Sequence, residues 1–255
     1  MSPTLFEIAR GAAEPFLPPI YGMVRKSLKS ELRDRESPVS ILDVGGRKSP
    51  YTIGIPAAIT IIDLPRESEV QNDLNLGITD AISESIKTRR SNIEAVLFGD
   101  MTKSDLPSES FDVVVSVEVL EHVEEDDKFV SEISRVLKPG GRFIMTTPNG
   151  DFVENRNPDH KRHYKRSQLM EVLRSHFEEV RVEYAIAGGY YRRIGLKSWS
   201  IKKPIQTSLS AFGNIVNTFE SSRKGIEQQA TGTHHLFATA TKSGGEAVQN
   251  GSEKR

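Results

Sequence analysis

From residue 40 onward the chain repeats one pattern: a short run rich in Val and Ile, a turn, then a helical stretch. The runs are Ser40–Val44, Ile59–Leu64, Ile93–Phe98, Phe111–Val117 and Arg142–Thr147. They are five to seven residues long and apolar on both faces, which suits strands covered on both sides. Between the last two, Phe129, Ile133, Val136 and Leu137 fall on one face of a helix over 126–137, and Lys138-Pro139-Gly140-Gly141 stops it. Ser167 reads as the cap of another helix, with Leu169, Met170, Leu173 and Phe177 along one side. The alternation predicts an α/β fold, a doubly wound, Rossmann-like, mostly parallel sheet with helices on both faces. Residues 178–190 and 234–242 alternate more, as antiparallel strands near the C-terminal edge do.

The flanks read differently. Residues 1–39 form a helical preamble that Pro15, Pro18 and Pro19 divide into two short helices at most. Arg25, Lys26, Lys29 and Arg33 make the stretch 21–36 basic. It is expected to pack on the main domain with a solvated basic face rather than to lie on a membrane. The main domain is placed at 40–242, with 191–233 as an insertion or cap carrying a helical pattern at Leu209, Phe212, Ile215, Val216 and Phe219. Residues 243–255 read as a disordered tail.

Composition excludes several classes. The chain has 34 Lys+Arg against 35 Asp+Glu, a formal charge of -1, which does not suit gripping a nucleic-acid backbone. It has no Cys, so disulfides, thiolate metal sites and thiol nucleophiles are out. No apolar stretch approaches the ~18 residues of a bilayer-crossing helix. Glu7 and Arg10 interrupt the first apolar stretch, which argues against a secretory leader and for a cytoplasmic protein. Nothing in the sequence speaks to oligomeric state.

In a doubly wound sheet, ligands sit outside the carboxyl ends of the strands, where strand order reverses. The first run ends in Asp43-Val44-Gly45-Gly46, glycines that let the backbone turn sharply beside a ligand. The second ends in Asp63, where a ribose diol can be held by a carboxylate. The third ends in Gly99-Asp100-Met101, and the fourth runs through Ser116, Val117 and Glu118 to Glu121-His122. A nicotinamide enzyme would want Gly-x-Gly-x-x-Gly opening a helix, which 45–50 do not supply.

Residues 40–190 resemble a class I S-adenosylmethionine-dependent methyltransferase, and locally the small-molecule O-methyltransferases of the ubiquinone pathway. The resemblance rests on Leu42–Gly46, Ile62-Asp63, Gly99–Met101, Phe111–Ser116, Glu118–Val123 and Leu137–Phe143. It implies that Asp43, Gly45 and Gly46 bend around the methionine part of S-adenosylmethionine and that Asp63 binds the ribose, with Leu64 on the adenine. It further implies that Asp100 accepts from the adenine amino group, Met101 lies against the ring, and Ser116, Val117 and Glu118 form the floor beneath the sulfonium. The family's later loop glycines are replaced here by Arg47 and Ser49, and Pro50, Gly54 and Pro56 leave little room for a helix after the loop.

Methyl transfer from a sulfonium to a hydroxyl needs alignment and a base. His122, His160 and His163 are the candidate catalytic groups. Glu118, Glu121 and His122 at helical spacing, joined by His160, could instead hold Mg²⁺ or Zn²⁺. This resembles metal-assisted small-RNA 2′-O-methyltransferases and some ubiquinone-pathway enzymes. Lys161, Lys165, Arg166, Arg192, Arg193 and Lys197 make a basic rim, so the expected substrate is a small, anionic acceptor methylated on oxygen. The alternatives are a metal-assisted RNA methyltransferase and a non-catalytic partner protein with a weakened cofactor loop. Trp199 and Phe212 read either as a cover for the acceptor or as core.

Overall fold

A computed structural model describes residues 2–33, 35, 38–66, 77–197 and 199–244; most of the expected tail lies outside them. Seven strands form one sheet: β1 (Ser40–Val44), β2 (Ala58–Asp63), β3 (Ile93–Phe98), β4 (Phe111–Val117), β5 (Leu137–Pro148), β6 (Glu179–Ala187) and β7 (Thr233–Thr241). Their order is β3-β2-β1-β4-β5-β7-β6. All neighbours are parallel except β7, which runs antiparallel between β5 and β6. The order reverses between β1 and β4, so the crevice opens at their carboxyl ends.

Helices cover both faces: α1 (Leu5–Ala13), α2 (Pro19–Arg33), α3 (Asp80–Arg89), α4 (Asp126–Val136), α5 (Arg166–Arg174), α6 (Tyr190–Gly195) and α7 (Pro204–Ser221). On one face Phe129, Ile133 and Leu169 of α4 and α5 bury against Leu42, Val114 and Phe143. On the other, Val24 and Leu28 of α2 bury against Ile41, Ile59, Ile61 and Val113. This placement covers Val24 and Leu28 of α2, and Arg25 is taken up by the carbonyls of Tyr51 and Ile53 and the carboxylate of Glu14.

Two boundaries differ from the sequence reading. β5 begins at Leu137, because Lys138–Gly141 not only ends the helix but continues as strand through a register shift against β4. α5 begins at Arg166 rather than after Ser167, with the Arg166 amide donating to Asp151 at 2.8 Å. The larger departure is α7. Its buried positions are Ser210, Gly213, Asn214, Asn217 and Ser221, while Ile205, Leu209, Phe212 and Phe219 point outward.

Candidate functional site

β1 ends where Gly45 takes a left-handed φ of 72° and its amide donates to the Ile62 carbonyl at 2.8 Å, lashing the loop to β2. A Cβ on Gly45 would stand 2.6 Å from a Val119 methyl, and one on Gly46 2.4 Å from the Asp43 carboxyl carbon. Asp43 itself is fully buried and turns away from the crevice. Its carboxylate accepts from Ser49, from Thr52 at 2.8 Å and from Tyr51 at 3.0 Å. Arg90 reaches Thr52 from α3's end at 2.9 Å. Burial pushes the Asp43 pKa up against these donors. Ser49, the residue replacing a family glycine, thus fastens a loop that has no following helix.

The crevice continues along the other strand ends. Asp63 accepts from the Leu64 amide at 2.9 Å and from the Arg47 amide, and burial raises its pKa against them. Leu64 and Phe98 are exposed beside it, as an adenine platform would be. Asp100 accepts from the Thr102 amide and hydroxyl, capping the turn Met101–Lys103. Met101 is buried in the core cluster that also holds Val44, Ile62 and Leu120. Ser116 is fully buried with an unpartnered hydroxyl at the end of β4, and Val117 is next to it.

Beyond Val117 the chain does not continue as one helical turn. Glu118 has φ 56° and stands alone; only Leu120–His122 coil, as a short 3₁₀ turn. The expected grouping of Glu118 with Glu121 and His122 by helical spacing therefore breaks. Glu118 accepts from Thr146 at 2.9 Å and faces His235 Nε2 at 3.4 Å. Enclosure raises its pKa, but His235, Thr146 and His234 outweigh that and leave it below the usual glutamate value. Glu121 is fully buried, accepts from Thr147 at 3.1 Å through one oxygen, and leaves the other without a partner. Burial, then the charge of Glu118, drives its pKa well up.

The loop after β5 folds back on this turn: the Lys161 amide donates to the Glu121 carbonyl at 2.7 Å. It brings His160 into edge contact with His122 and to 2.8 Å from His163. Glu121, His122 and His160 each offer one ligand atom, all within 4.8 Å of one another. His163 Nδ1 faces the Val153 carbonyl and His122 Nδ1 the Asp159 carbonyl, so both carry their protons there. His160 Nδ1 then donates to His163 Nε2, and the Nε2 lone pairs of His122 and His160 stay free.

A cavity of about 160 Å³ lies over Glu118. Its wall includes Tyr21 of α2, Arg192 of α6, Asn214 and Asn217 of α7, and His235 of β7. Burial lowers the Arg192 pKa to about 10, still cationic at neutral pH. Sequence reasoning missed His235 and His234. The signal was available: β7 antiparallel to β5 sets His235 opposite Pro148, at the carboxyl end of the sheet. Of the expected basic rim, Lys161 stands 3.7 Å from Glu124, and its neighbour Arg162 pairs with Asp126. Five of the chain's six His, all but His176, gather near Glu118.

A methyltransferase-domain family model matches residues 67–145. A Mycolicibacterium smegmatis protein named "Probable S-adenosylmethionine-dependent methyltransferase" is 35% identical over 105 residues, 39% of this chain and 40% of that protein. Through these residues the chain is similar to S-adenosylmethionine-dependent methyltransferases. A ubiquinone biosynthesis O-methyltransferase of Bartonella tribocorum is 25% identical over 44% of this chain and 42% of that protein. A sterol 4-C-methyltransferase of Caenorhabditis elegans is 29% identical over 50% and 31%. The chain thus spans less than half the length of these relatives. Among solved structures, the [4+2]-cyclase SpnF superposes with a TM-score of 0.55 at 20% identity, over 87% of this chain and 81% of the cyclase. A Haemonchus contortus phosphoethanolamine N-methyltransferase 2 gives 0.56 at 16%, over 86% and 52%. A cyclase beside a methyltransferase shows that the fold alone does not fix the reaction.

Proposed function

We propose that this chain transfers a methyl group from S-adenosylmethionine to an oxygen of a small anionic acceptor held over Glu118. The observation that carries it is the cavity where Arg192 faces Glu118 and His235 at the sheet's reversal point. The crevice fits the cofactor: the two glycines lie where no Cβ can, Asp63 stands at the ribose position, and Ser116 leaves a buried hydroxyl unpaired. When bound, the cofactor supplies an electrophilic methyl carbon on a sulfonium.

Arg192 binds the acceptor's anionic group, while Asn214 and Asn217 close the cavity around it. Holding the hydroxyl in line supplies much of the rate, ~7–11 kcal/mol in well-oriented systems. His235 Nε2 faces Glu118 at 3.4 Å on the cavity wall, and this pair takes the hydroxyl proton. In this reading Glu118 orients His235 as well as closing the cofactor floor.

Glu121, His122 and His160 support a second assignment, a divalent ion bound beside the site. Two imidazoles and one carboxylate suit Zn²⁺ better than Mg²⁺, and the unpartnered Glu121 oxygen is the atom that such an ion would satisfy. An ion there would lower the pKa of an acceptor oxygen. This reading keeps His122 and His160 in the site without making either the base.

Calorimetry with S-adenosylmethionine and S-adenosylhomocysteine, followed by labelled-methyl transfer to hydroxylated carboxylates and phosphates, tests the proposal. Micromolar binding with label in an anionic product supports it. A folded protein that binds neither cofactor form would instead favour a non-catalytic partner. Label in RNA alone would shift the acceptor class.

A further inference from the structure

The helix α7 is built inside out. Its polar face is the buried one, and every contact there is specific. Ser210 donates to the Gly195 carbonyl at 2.8 Å, Asn214 to the Phe16 carbonyl at 2.8 Å, and Asn217 to the Ala187 carbonyl at 2.8 Å. At Gly213 a Cβ would meet the Tyr191 carbonyl at 2.9 Å. This face is fixed to the protein, so the opposite one is committed to the outside. Ile205 is 78% exposed and Phe219 74%, one helical stripe apart, with Leu209 and Phe212 between them.

The stripe continues off the helix. Tyr191 stacks edgewise on Phe212 and on Tyr190, which is exposed, and Trp199 is tied to α7 by its indole N–H to Ser210 at 3.1 Å. Ile201 is wholly exposed, and Leu196 largely so. Around this apolar surface stand exposed Arg193, Lys197, Lys202 and Lys203. From Tyr184 through Phe219 there is no Asp or Glu. A chain of net charge -1 has thus placed an acid-free basic segment around an exposed aromatic and aliphatic surface.

We infer that the α6–α7 cap docks on an anionic lipid bilayer, with the apolar stripe in the interface and the lysines among the headgroups. Trp and Tyr beside Lys and Arg, over Ile, Leu and Phe, is the composition of an interfacial surface. Among the described residues no helix is long and apolar enough to cross a membrane, so the contact is peripheral. A second copy fits less well: a two-fold contact through this face would bring its cations onto one another. The membrane side is therefore α7 rather than the basic stretch 21–36, whose Val24 and Leu28 are buried on the sheet. The same helices give Arg192, Asn214 and Asn217 to the cavity over Glu118, so docking would set that cavity at the interface.

Trp199 is the chain's only tryptophan and reports on the face directly. The test titrates the full chain with phosphatidylglycerol-rich vesicles, with and without brominated acyl chains, and with pure phosphatidylcholine vesicles. A blue shift and bromine quenching with the anionic vesicles, at least about tenfold weaker binding to the neutral ones, and weakening by salt are expected. Reversing Lys202 and Lys203 together to Glu should weaken binding at least about tenfold, each cation near the surface being worth about a factor of five. Ile205→Glu with Phe219→Glu should abolish the quenching. Thermal melts and cofactor binding, unmoved in both variants, establish that the fold persists, and they also keep this result separate from the catalytic proposal. Absence of any Trp199 response to anionic vesicles overturns the inference. So does a dimer that the Ile205→Glu, Phe219→Glu pair dissociates, with no vesicle response, which would give the face to a second copy.

Discussion

Single residues at the strand ends divide into those that sequence position betrays and those that it hides. Asp63 ends β2 and Ser116 and Glu118 lie at the end of β4, so the repeating pattern marks their positions as strand ends and the family resemblance marks them as candidates. His235 is legible only once β7 is known to run back beside β5, and Glu118 takes a φ that no spacing rule anticipates. These two residues make the sharpest prediction: His235→Asn should lower kcat by about 10²–10⁴-fold, the usual contribution of a positioned base, with cofactor affinity by calorimetry unchanged. Equal loss of cofactor binding would assign His235 to structure instead. Glu121 gives a second. Its pKa is raised in the folded state, so the folded state is favoured below about 4.5 and that advantage is lost as pH rises through the raised value. Glu121→Gln should therefore raise Tm at pH 8 in the presence of chelator, by about 2–4 °C per kcal/mol relieved, with the gain vanishing near pH 4. Adding Zn²⁺ should stabilise the wild type and leave the variant unmoved; a variant that gains equally from Zn²⁺ rules out the ion site.

Elements were legible in proportion to how regular they are. β1 and β4 end where their apolar runs end, because a strand buried on both faces cannot admit a turn residue, whereas β3 ends with its run as an edge strand in which Val96 alone is buried. The rebuilt first loop was not legible. Its missing glycines read as damage, whereas Ser49 and Thr52 replace helix packing with hydrogen bonds to a buried Asp43. Periodicity likewise located α7 but left Phe212 as either core or cover, since a stripe does not say which side the protein lies on. The glycines of two elements behave oppositely. Gly46→Ala drives a Cβ into the Asp43 carboxyl and should cost at least about 1–3 kcal/mol, the range for a broken buried network, and should weaken cofactor binding more than tenfold. Gly22 sits at the end of the first turn of α2, where an added Cβ would meet nothing within 4 Å. Gly22→Ala should accordingly stabilise by about 0.5–1 kcal/mol, read as a higher urea midpoint at constant slope.

At the scale of the molecule, the neutral charge is an average over unlike regions: acids at the strand tips, an acid-free stretch from Tyr184 through Phe219, and an N-terminal arm whose Glu7 is spent holding it down. Composition showed the average and concealed the segregation, because only the fold says which charges share a surface. Glu7 is the arm's fastening. Its carboxylate accepts from the Thr4 amide at 2.7 Å and from the Ser91 amide and hydroxyl at 3.0 and 2.8 Å, linking α1 to the turn before β3. Burial raises its pKa, and the hydrogen bonds from Thr4 and Ser91 together outweigh that and leave it below 4.5. A lowered folded pKa gives stability that is present above the unfolded value and lost as pH falls through the folded one. Glu7→Ala should therefore cost about 1–3 kcal/mol at pH 7, a fall in Tm of about 2–4 °C per kcal/mol, and the gap to wild type should close as the pH is taken below 4.5. Because the same arm continues into α2, whose Tyr21 lines the cavity over Glu118, the variant should also expose the arm to protease before the sheet unfolds. A gap in Tm that stays constant from pH 7 to pH 3 would mean that packing of α1, rather than the ionised carboxylate, holds the arm in place.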